Sequence, residues 1–196
     1  MTQSLPAPAR IAAIVPRYSA CGDSTVIFSN DGSATILKSR IRAVIRRLAQ
    51  CGAVDLAALK TKTRAATQRA ILEPLPLAPG LILVPVKVRQ PRVAGDVTTG
   101  YVNFHAVTTV CSNKNKPYQA TVQLAGKTEI PVLWTAATVN RQLTLARLAA
   151  TAAPAIQPVT AGAFRESFPG YEPELLTLAA KLVDIFNDIL SMKLRQ

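Results

Sequence analysis

The segment LKSRIRAVIRRLAQ, residues 37–50, constrains the fold most, because it is amphipathic and carries charge of a single sign. Its aliphatic residues follow the i, i+3, i+4, i+7, i+8 spacing of a helix that buries one stripe: Ile41, Val44, Ile45, Leu48 and Ala49. At about 100° per residue, Arg42 and Arg46 lie on one flank of the exposed arc. Arg40 and Arg47 lie on the other. The arginines of such a face repel one another unless an anionic partner binds there.

The excess of positive charge is confined to the first three-quarters of the chain. The net charge of +12 comes from 23 basic and 11 acidic residues. Residues 1–150 hold 19 of the basic and 6 of the acidic residues, whereas residues 151–196 hold 4 basic and 5 acidic residues. Fourteen of the 23 bases are arginine, whose planar guanidinium suits phosphates and narrow grooves. This distribution predicts a polyanionic partner for the first part of the chain.

Composition excludes several classes of protein. Hydrophobic residues make up 49% of the chain and charged residues 17%, which is not the composition of a disordered tail. A run of about 18 apolar residues is missing, so no membrane-spanning helix is expected. The N-terminal sequence MTQSLPAPARIAAIVPR lacks the basic start and apolar centre of a signal peptide. We therefore expect a cytoplasmic protein.

The residues that usually carry chemistry are scarce. Cys21, Cys51 and Cys111 are odd in number and widely spaced, which predicts reduced, mostly buried thiols and no zinc site. His105, the single histidine, is predicted to be a sheet residue and not a base. The sequence contains no G-x-S-x-G, P-loop or G-x-G-x-x-G motif. We expect a binding protein that is not an enzyme and holds no cofactor.

Periodicity and turn residues predict an α+β fold: a mainly antiparallel β-sheet with three packed helices in residues 9–150. TVIFSNDGSATIL predicts a hairpin around Asn30-Asp31-Gly32. Further β-rich runs are RIAAIV, GLILVPV, YVNFHAVTTV, YQATVQLAG and TEIPVLW. Helices are predicted at 39–51, 55–69 and 136–150.

The two basic helices are predicted to be separated by a short turn. Gly52 is expected to end the first helix in a left-handed conformation, and Asp55 to cap the second. Two adjacent basic helices also suggest a helix-turn-helix, although neither has a distinct recognition face.

The two ends of the chain differ from this body. Residues 1–8 are predicted to be a flexible leader, and 151–173, rich in Ala, Pro and Gly, a linker. Residues 174–196 predict an amphipathic helix with an apolar stripe of Leu175, Leu178, Leu182, Ile185 and Ile189. Docking on the core, oligomerisation and regulation all remain open for this helix.

In their order along the chain, several segments resemble the competence transcription factor (ComK) family of bacterial DNA-binding activators. LILVPV resembles the family's aliphatic-Phe-Pro strand, and GYVNFHAV its Gly-Trp-Ile-x-x-x-His stretch, with Tyr101 at the aromatic position. LAGKTEIPVLWTAATVNRQLTLARL resembles its Asn-Gly-Lys … Leu-Pro-Ile-Ser … Asn-Gln … Ala-x-Leu segment. The matching positions there are Gly126, Lys127, Pro131, Gln142, Ala146 and Leu148.

The sequence also departs from the family pattern. The family's Gly-Ser-Ser-Tyr-x-Gly-Arg-Lys signature is reduced to GAVDLAALKTKTRAA, which keeps Gly52 and the basic Lys62 and Arg64. The basic loop at 87–98 is longer. The resemblance implies an activator that binds A/T-rich double-stranded DNA, largely through the minor groove, as a homodimer or higher oligomer. It further implies that an adaptor and a protease recognise the C-terminal segment.

The candidate DNA-binding residues fall into three groups. The basic helices are expected to contact phosphates or the minor groove, the loop at 87–98 to insert into the groove, and the segment SNKNKPY to contact the DNA backbone. In that order the residues are Arg40, Arg42, Arg46, Arg47, Lys60, Lys62 and Arg64; then Arg89 and Arg92; then Lys114 and Lys116.

Two other functions remain open. Charge alone does not separate DNA from RNA, so an RNA- or ribosome-associated protein is an alternative. Aromatic residues make up only 5% of the chain and are not clustered with the basic residues, whereas readers of single strands usually display stacking aromatics. The other alternative is an assembly protein that acts through its C-terminal helix.

Overall fold

The computed structural model describes residues 5–20, 22–68, 72–114 and 116–152. Its helices are α1 (Ile41–Cys51), α2 (Leu56–Thr67) and α3 (Ala136–Ala152). Its strands are β1 (Ile11–Ser19), β2 (Gly22–Ser29), β3 (Ala34–Leu37), β4 (Leu75–Ala78), β5 (Leu81–Lys87), β6 (Thr99–Asn103), β7 (Val107–Ser112), β8 (Ala120–Leu124) and β9 (Glu129–Val132). The predicted linker, from residue 153 on, and the predicted C-terminal helix lie outside the described residues.

The strands form two antiparallel sheets. The larger has six strands in the order β3-β2-β1-β6-β5-β4, and the smaller has three in the order β7-β8-β9. Every strand pair in both sheets is antiparallel. The prediction of an α+β fold with a mainly antiparallel sheet and three helices is therefore confirmed.

Alternation along the strands gives the large sheet two apolar faces. On β5, Leu81 and Leu83 belong to one buried cluster, whereas Ile82, Val84 and Val86 belong to another. The first cluster includes the apolar stripe of α1, and the second includes β8, β9 and α3. The domain therefore has three layers, with α1 on one side of the large sheet and the small sheet and α3 on the other.

The predicted apolar stripe of α1 is confirmed. Ile41, Val44, Ile45, Leu48 and Ala49 are all buried. They pack with Ile14, Ile27 and Leu37 of the large sheet. Complete burial of an aliphatic side chain of this size contributes about 1.5–3 kcal/mol. This packing therefore fixes which side of α1 faces solvent, and with it the direction of the arginines.

The predicted hairpin joins β2 to β3. Gly32 adopts a positive φ of 83°, as the turn requires, and the Asp31 carboxylate accepts hydrogen bonds from the Ser33 amide and hydroxyl. A Cβ on Gly32 would lie 2.7 Å from the carbonyl oxygen of Gly126, so the hairpin turn meets the 125–127 turn backbone to backbone. Glycine is needed at this contact for space as well as for φ.

The run YVNFHAVTTV does not form one strand. β6 ends at Asn103, residues 104–106 form a 3₁₀ turn, and the chain continues as β7 in the other sheet. The buried Asn103 side chain holds this break: Nδ2 donates to the carbonyls of Ile11 and Gly80, and Oδ1 accepts from the amides of Ile82 and His105. His105 is exposed in the turn, so its prediction as a sheet residue was wrong.

The turn after α1 differs from the prediction by one residue. Gly52 has a φ of −91°, and the left-handed residue is Ala53, with a φ of 51°. Ala53 N donates to Gln50 O and Val54 N to Ala49 O, which is the Schellman arrangement with Ala53 at C′. A Cβ on Gly52 would lie 3.1 Å from Leu77 O, so glycine here allows β4 to approach closely.

Two cysteine predictions were wrong. Cys51 and Cys111 are free thiols, but both are exposed and not buried. Cys51 is the last residue of α1, and Cys111 lies on β7, most of whose residues face solvent. Cys21 lies outside the described residues.

The described part of the chain contains no helix that is both long and apolar enough to cross a membrane.

Candidate nucleic-acid interface

The arginines of α1 point away from the large sheet. Arg40, Arg42 and Arg46 are exposed, and Arg47 is half-buried. Within the described residues, no carboxylate forms an ion pair with the first three. Cations near a helix N-terminus oppose the helix dipole, at a cost of about 0.3–1 kcal/mol each. Arg40 and Arg42 therefore do not stabilise α1 through its dipole.

A basic cleft of about 370 Å³ lies between α1, α2, β4 and β6. Arg42 and Arg46 of α1 and Lys60 of α2 line it. Its apolar lining consists of Ile41, Ile45, Leu56, Leu72, Leu75 and Val97. Asp55 caps α2 by accepting hydrogen bonds from the amides of Ala57 and Ala58. Leu56 and Lys60 are four residues apart on this helix, so they lie on the same face, and both line the cleft.

The acidic residue of the cleft is already paired. Glu73 is 7% exposed, and its Oε1 accepts a hydrogen bond from Nε of Arg64. Arg64, predicted to contact DNA, is thus tied to a carboxylate at the end of α2. Lys62 is exposed and is not part of the cleft lining. Of the three basic residues predicted on α2, the structure places Lys60 beside the α1 arginines.

Tyr101 also lines the basic cleft. Burial raises the pKa of this phenol, the positive charge of Arg42 lowers it in part, and Glu73 adds a smaller increase. The hydroxyl is therefore neutral near pH 7 and can both donate and accept hydrogen bonds. The cleft thus combines three cations, the Glu73 carboxylate that is paired with Arg64, and the uncharged polar residues Thr99 and Tyr101 with an apolar floor.

The loop 88–98 connects β5 to β6, and its base is closed by the Val88 amide, which donates to Thr98 O. Arg89 does not project from this loop, so its prediction as a groove-inserting residue was wrong. Its side chain is 10% exposed, its Nη2 lies 2.8 Å from Asp23 Oδ1, and its Nε donates to Val97 O. Burial in an ion pair removes Arg89 from the surface.

Arg92 is the exposed arginine of loop 88–98. Its guanidinium carbon lies 4.2 Å from the centre of the Tyr18 ring, and that of Arg89 lies 3.8 Å from it. The ring hydroxyl donates to Asp96 Oδ2, which also accepts from the amides of Arg92 and Val93. These contacts raise the pKa of Tyr18 and lower that of Asp96, in each case chiefly through their shared hydrogen bond.

Lys114 and Lys116 are exposed on the β7–β8 connection, in the layer opposite α1. Two backbone hydrogen bonds relate this connection to loop 88–98. Gln119 N donates to Val132 O, and the next residue, Leu133, donates to Lys87 O at the start of the loop. The two lysines therefore lie at the same end of the domain as loop 88–98, but not on the α1 face.

The structure thus divides the predicted residues. It brings Arg42, Arg46 and Lys60 together, leaves Arg40 and Arg47 outside that cleft, and ties Arg64 and Arg89 to carboxylates. Sequence reasoning missed Tyr18, Asp23 and Asp96. No local pattern could have identified Tyr18, because 74 residues separate it from Arg92.

Metal coordination finds no support in the described ranges, where no group of three His, Cys, Asp or Glu side chains is placed to hold an ion. In comparisons with known proteins, the chain matches no family model, no curated protein and no solved structure.

Proposed function

We propose that this chain is a cytoplasmic DNA-binding transcriptional regulator of the competence transcription factor type. It binds A/T-rich duplexes through its arginine-rich surface and minor-groove contacts, it is not an enzyme, and it acts as a homodimer or higher oligomer. Its C-terminal segment is the part that an adaptor and a protease recognise. The resemblance in the order of segments and the basic cleft both support this proposal.

One observation carries the proposal. Arg42, Arg46 and Lys60 surround one cleft, and Glu73, the acidic residue of its lining, is paired with Arg64. Like charges gathered in this way repel each other, and screening by salt reduces the cost without removing it. A partner with regularly spaced anions relieves the repulsion, and the phosphates of a duplex supply one charge per about 1.7 Å of helix axis.

Arginine also favours a particular kind of duplex. A/T tracts have a narrow minor groove with enhanced negative potential, which attracts guanidinium groups. Arg92, exposed and without a carboxylate ion partner among the described residues, is suited to enter such a groove. Arg42 and Arg46 of α1 are better suited to the flanking phosphates, because these two exposed arginines lie one turn apart on the same flank of the helix.

A salt-titrated binding assay tests the proposal. The full chain is titrated against A/T-rich and G/C-rich duplexes of equal length and against a structured RNA. We expect the A/T-rich duplex to bind most tightly. If six to ten phosphates are contacted, its affinity should fall about 10³- to 10⁵-fold between 50 and 200 mM salt. A shallow dependence on salt would overturn the proposal, and preferential binding of the RNA would favour an RNA-associated protein instead.

A further inference from the structure

Asp96 organises the tip of loop 88–98. Its Oδ2 accepts three hydrogen bonds: from the Tyr18 hydroxyl at 2.5 Å, the Arg92 amide at 2.8 Å and the Val93 amide at 3.2 Å. The Asp96 amide in turn donates to Val93 O. A loop tip that makes no such contacts loses conformational entropy when it binds a partner. Here the hydrogen bonds to Asp96 reduce that loss, because they already join the tip to Tyr18.

Tyr18 fixes the direction of Arg92. The guanidinium of Arg92 stacks on the Tyr18 ring, which is itself anchored by its hydroxyl to Asp96 and by its face to Arg89. A planar guanidinium held against an aromatic ring keeps its edge available for hydrogen bonds. This contact favours one orientation of Arg92, whose side chain remains exposed to solvent.

The two arginines of the loop have different electrostatic roles. Asp23 balances the charge of the buried Arg89. Asp96 accepts from the backbone amide of Arg92 and not from its guanidinium, and no other described carboxylate pairs with that group. The positive charge at the tip is consequently left for a partner.

The residue beside Arg92 is apolar and exposed. Val93 is 66% exposed, the largest fraction among the exposed large hydrophobic residues of the described chain. Proteins that bind the minor groove pair basic side chains with apolar ones that press against base steps. The adjacent Arg92 and Val93 give the tip both features.

We propose that loop 88–98 is a preformed groove-reading loop in which Tyr18 and Asp96 position Arg92 and Val93 for the narrow minor groove of an A/T-rich duplex. Arg89 anchors the loop and contacts no DNA. This inference rests on the proposed DNA-binding function and assigns sequence preference to one exposed arginine and two positioning residues.

The experiment measures the ratio of affinities for A/T-rich and G/C-rich duplexes of equal length, at several salt concentrations, with the full chain. Arg92→Ala should lower this ratio about fivefold or more and reduce the salt slope by about one. Asp96→Ala should lower the ratio as well, without reducing the salt slope, because no cation is lost. Arg141→Ala, which removes an exposed arginine of α3, should change the ratio less than twofold.

Asp96→Ala discriminates positioning from simple electrostatics. It removes a negative charge, so electrostatics alone predicts tighter binding to every duplex with an unchanged ratio. If loss of three hydrogen bonds unfolds this variant, Tyr18→Phe replaces it, since that change keeps the ring and removes the hydroxyl bond to Asp96. Tyr18→Phe should lower the ratio in the same direction.

The outcomes separate the inference from the proposed function. Suppose that the wild-type chain prefers A/T-rich DNA. If Arg92→Ala leaves that preference intact, or if the single variants Tyr18→Phe and Asp96→Ala both leave it intact, the proposed role of loop 88–98 is wrong and the DNA-binding function stands. If the wild-type chain binds no duplex in a salt-dependent way, the function itself is overturned, and the reading loop with it.

Discussion

Arg89 and Asp23, which are 66 residues apart in the chain, form an ion pair of 2.8 Å in which both side chains are largely buried. The pair connects loop 88–98 to the start of β2. The ion pair makes Arg89 a structural residue, although the sequence alone does not distinguish Arg89 from Arg92 in this loop.

Arg89→Met should destabilise the fold by about 3 kcal/mol, because it leaves Asp23 as a buried charge without its partner. Arg92→Met should cost less than about 1 kcal/mol, since it removes one exposed cation–π contact. Urea unfolding of both variants provides the measurement. The double variant with Asp23→Leu should recover part of the loss, and equal stabilities for the two single variants would show that the burial of Arg89 is unimportant.

The double variant Arg42→Ala with Arg46→Ala should weaken binding to all duplexes to a similar extent, because phosphates carry no sequence information. The salt slope should fall by about two, one released counterion for each lost contact. Fluorescence anisotropy at several salt concentrations provides the measurement. Arg141→Ala with Lys127→Ala removes the same charge from the opposite layer, and an equal loss of affinity in that control would count against a localised interface.

Asn103→Ala should destabilise the fold by more than about 2 kcal/mol. The change leaves the buried carbonyl of Ile11 and amide of Ile82 without their partner, and each unsatisfied group costs about 1–3 kcal/mol. Chemical unfolding followed by circular dichroism measures the loss. Asn103→Asp keeps an acceptor for Ile82 but cannot donate, so it should also be destabilising; a neutral effect of both changes would refute the role of this side chain.

Stability should depend on Asp31 at acid pH. Hydrogen bonds from Ser33, followed by Arg10, lower the pKa of Asp31 from 3.8 to about 2. A lowered pKa in the folded state stabilises the protein above the unfolded value, and this contribution is lost as the pH falls through the folded value. Thermal unfolding of Asp31→Asn should therefore differ from wild type above pH 4 and converge with it near pH 2. A difference that does not change with pH would disprove the link.

The helices and the hairpin could be predicted because their signals are local. Periodicity of 3.6 residues identified the five buried positions of α1, and the residues around Gly32 identified the β2–β3 turn. The Asp55 cap was also readable, since capping involves residues two and three positions away. In these elements the interacting groups lie within one turn of each other.

The division of the run YVNFHAVTTV, from Tyr101 to Val110, into two strands could not be predicted in this way. Alternating β-rich residues continue through Asn103, and the chain breaks there because that side chain bonds to Ile11, Gly80 and Ile82, which are distant in sequence. A pattern of period two cannot reveal that one run serves two sheets. Similarly, Cys51 and Cys111 have exposed environments that tertiary packing sets.

The sequence by itself determined that the body of this protein is cationic, that α1 buries one stripe, and that its arginines must lie on the opposite side. Only the tertiary structure decided which of these cations pair with carboxylates of the protein and which remain available to a partner. Arg64 and Arg89 meet Glu73 and Asp23, whereas Arg42, Arg46 and Lys60 converge on one cleft. The physical reason is that charge is a property of the residue, but its neutralisation depends on neighbours that folding brings within a few ångströms.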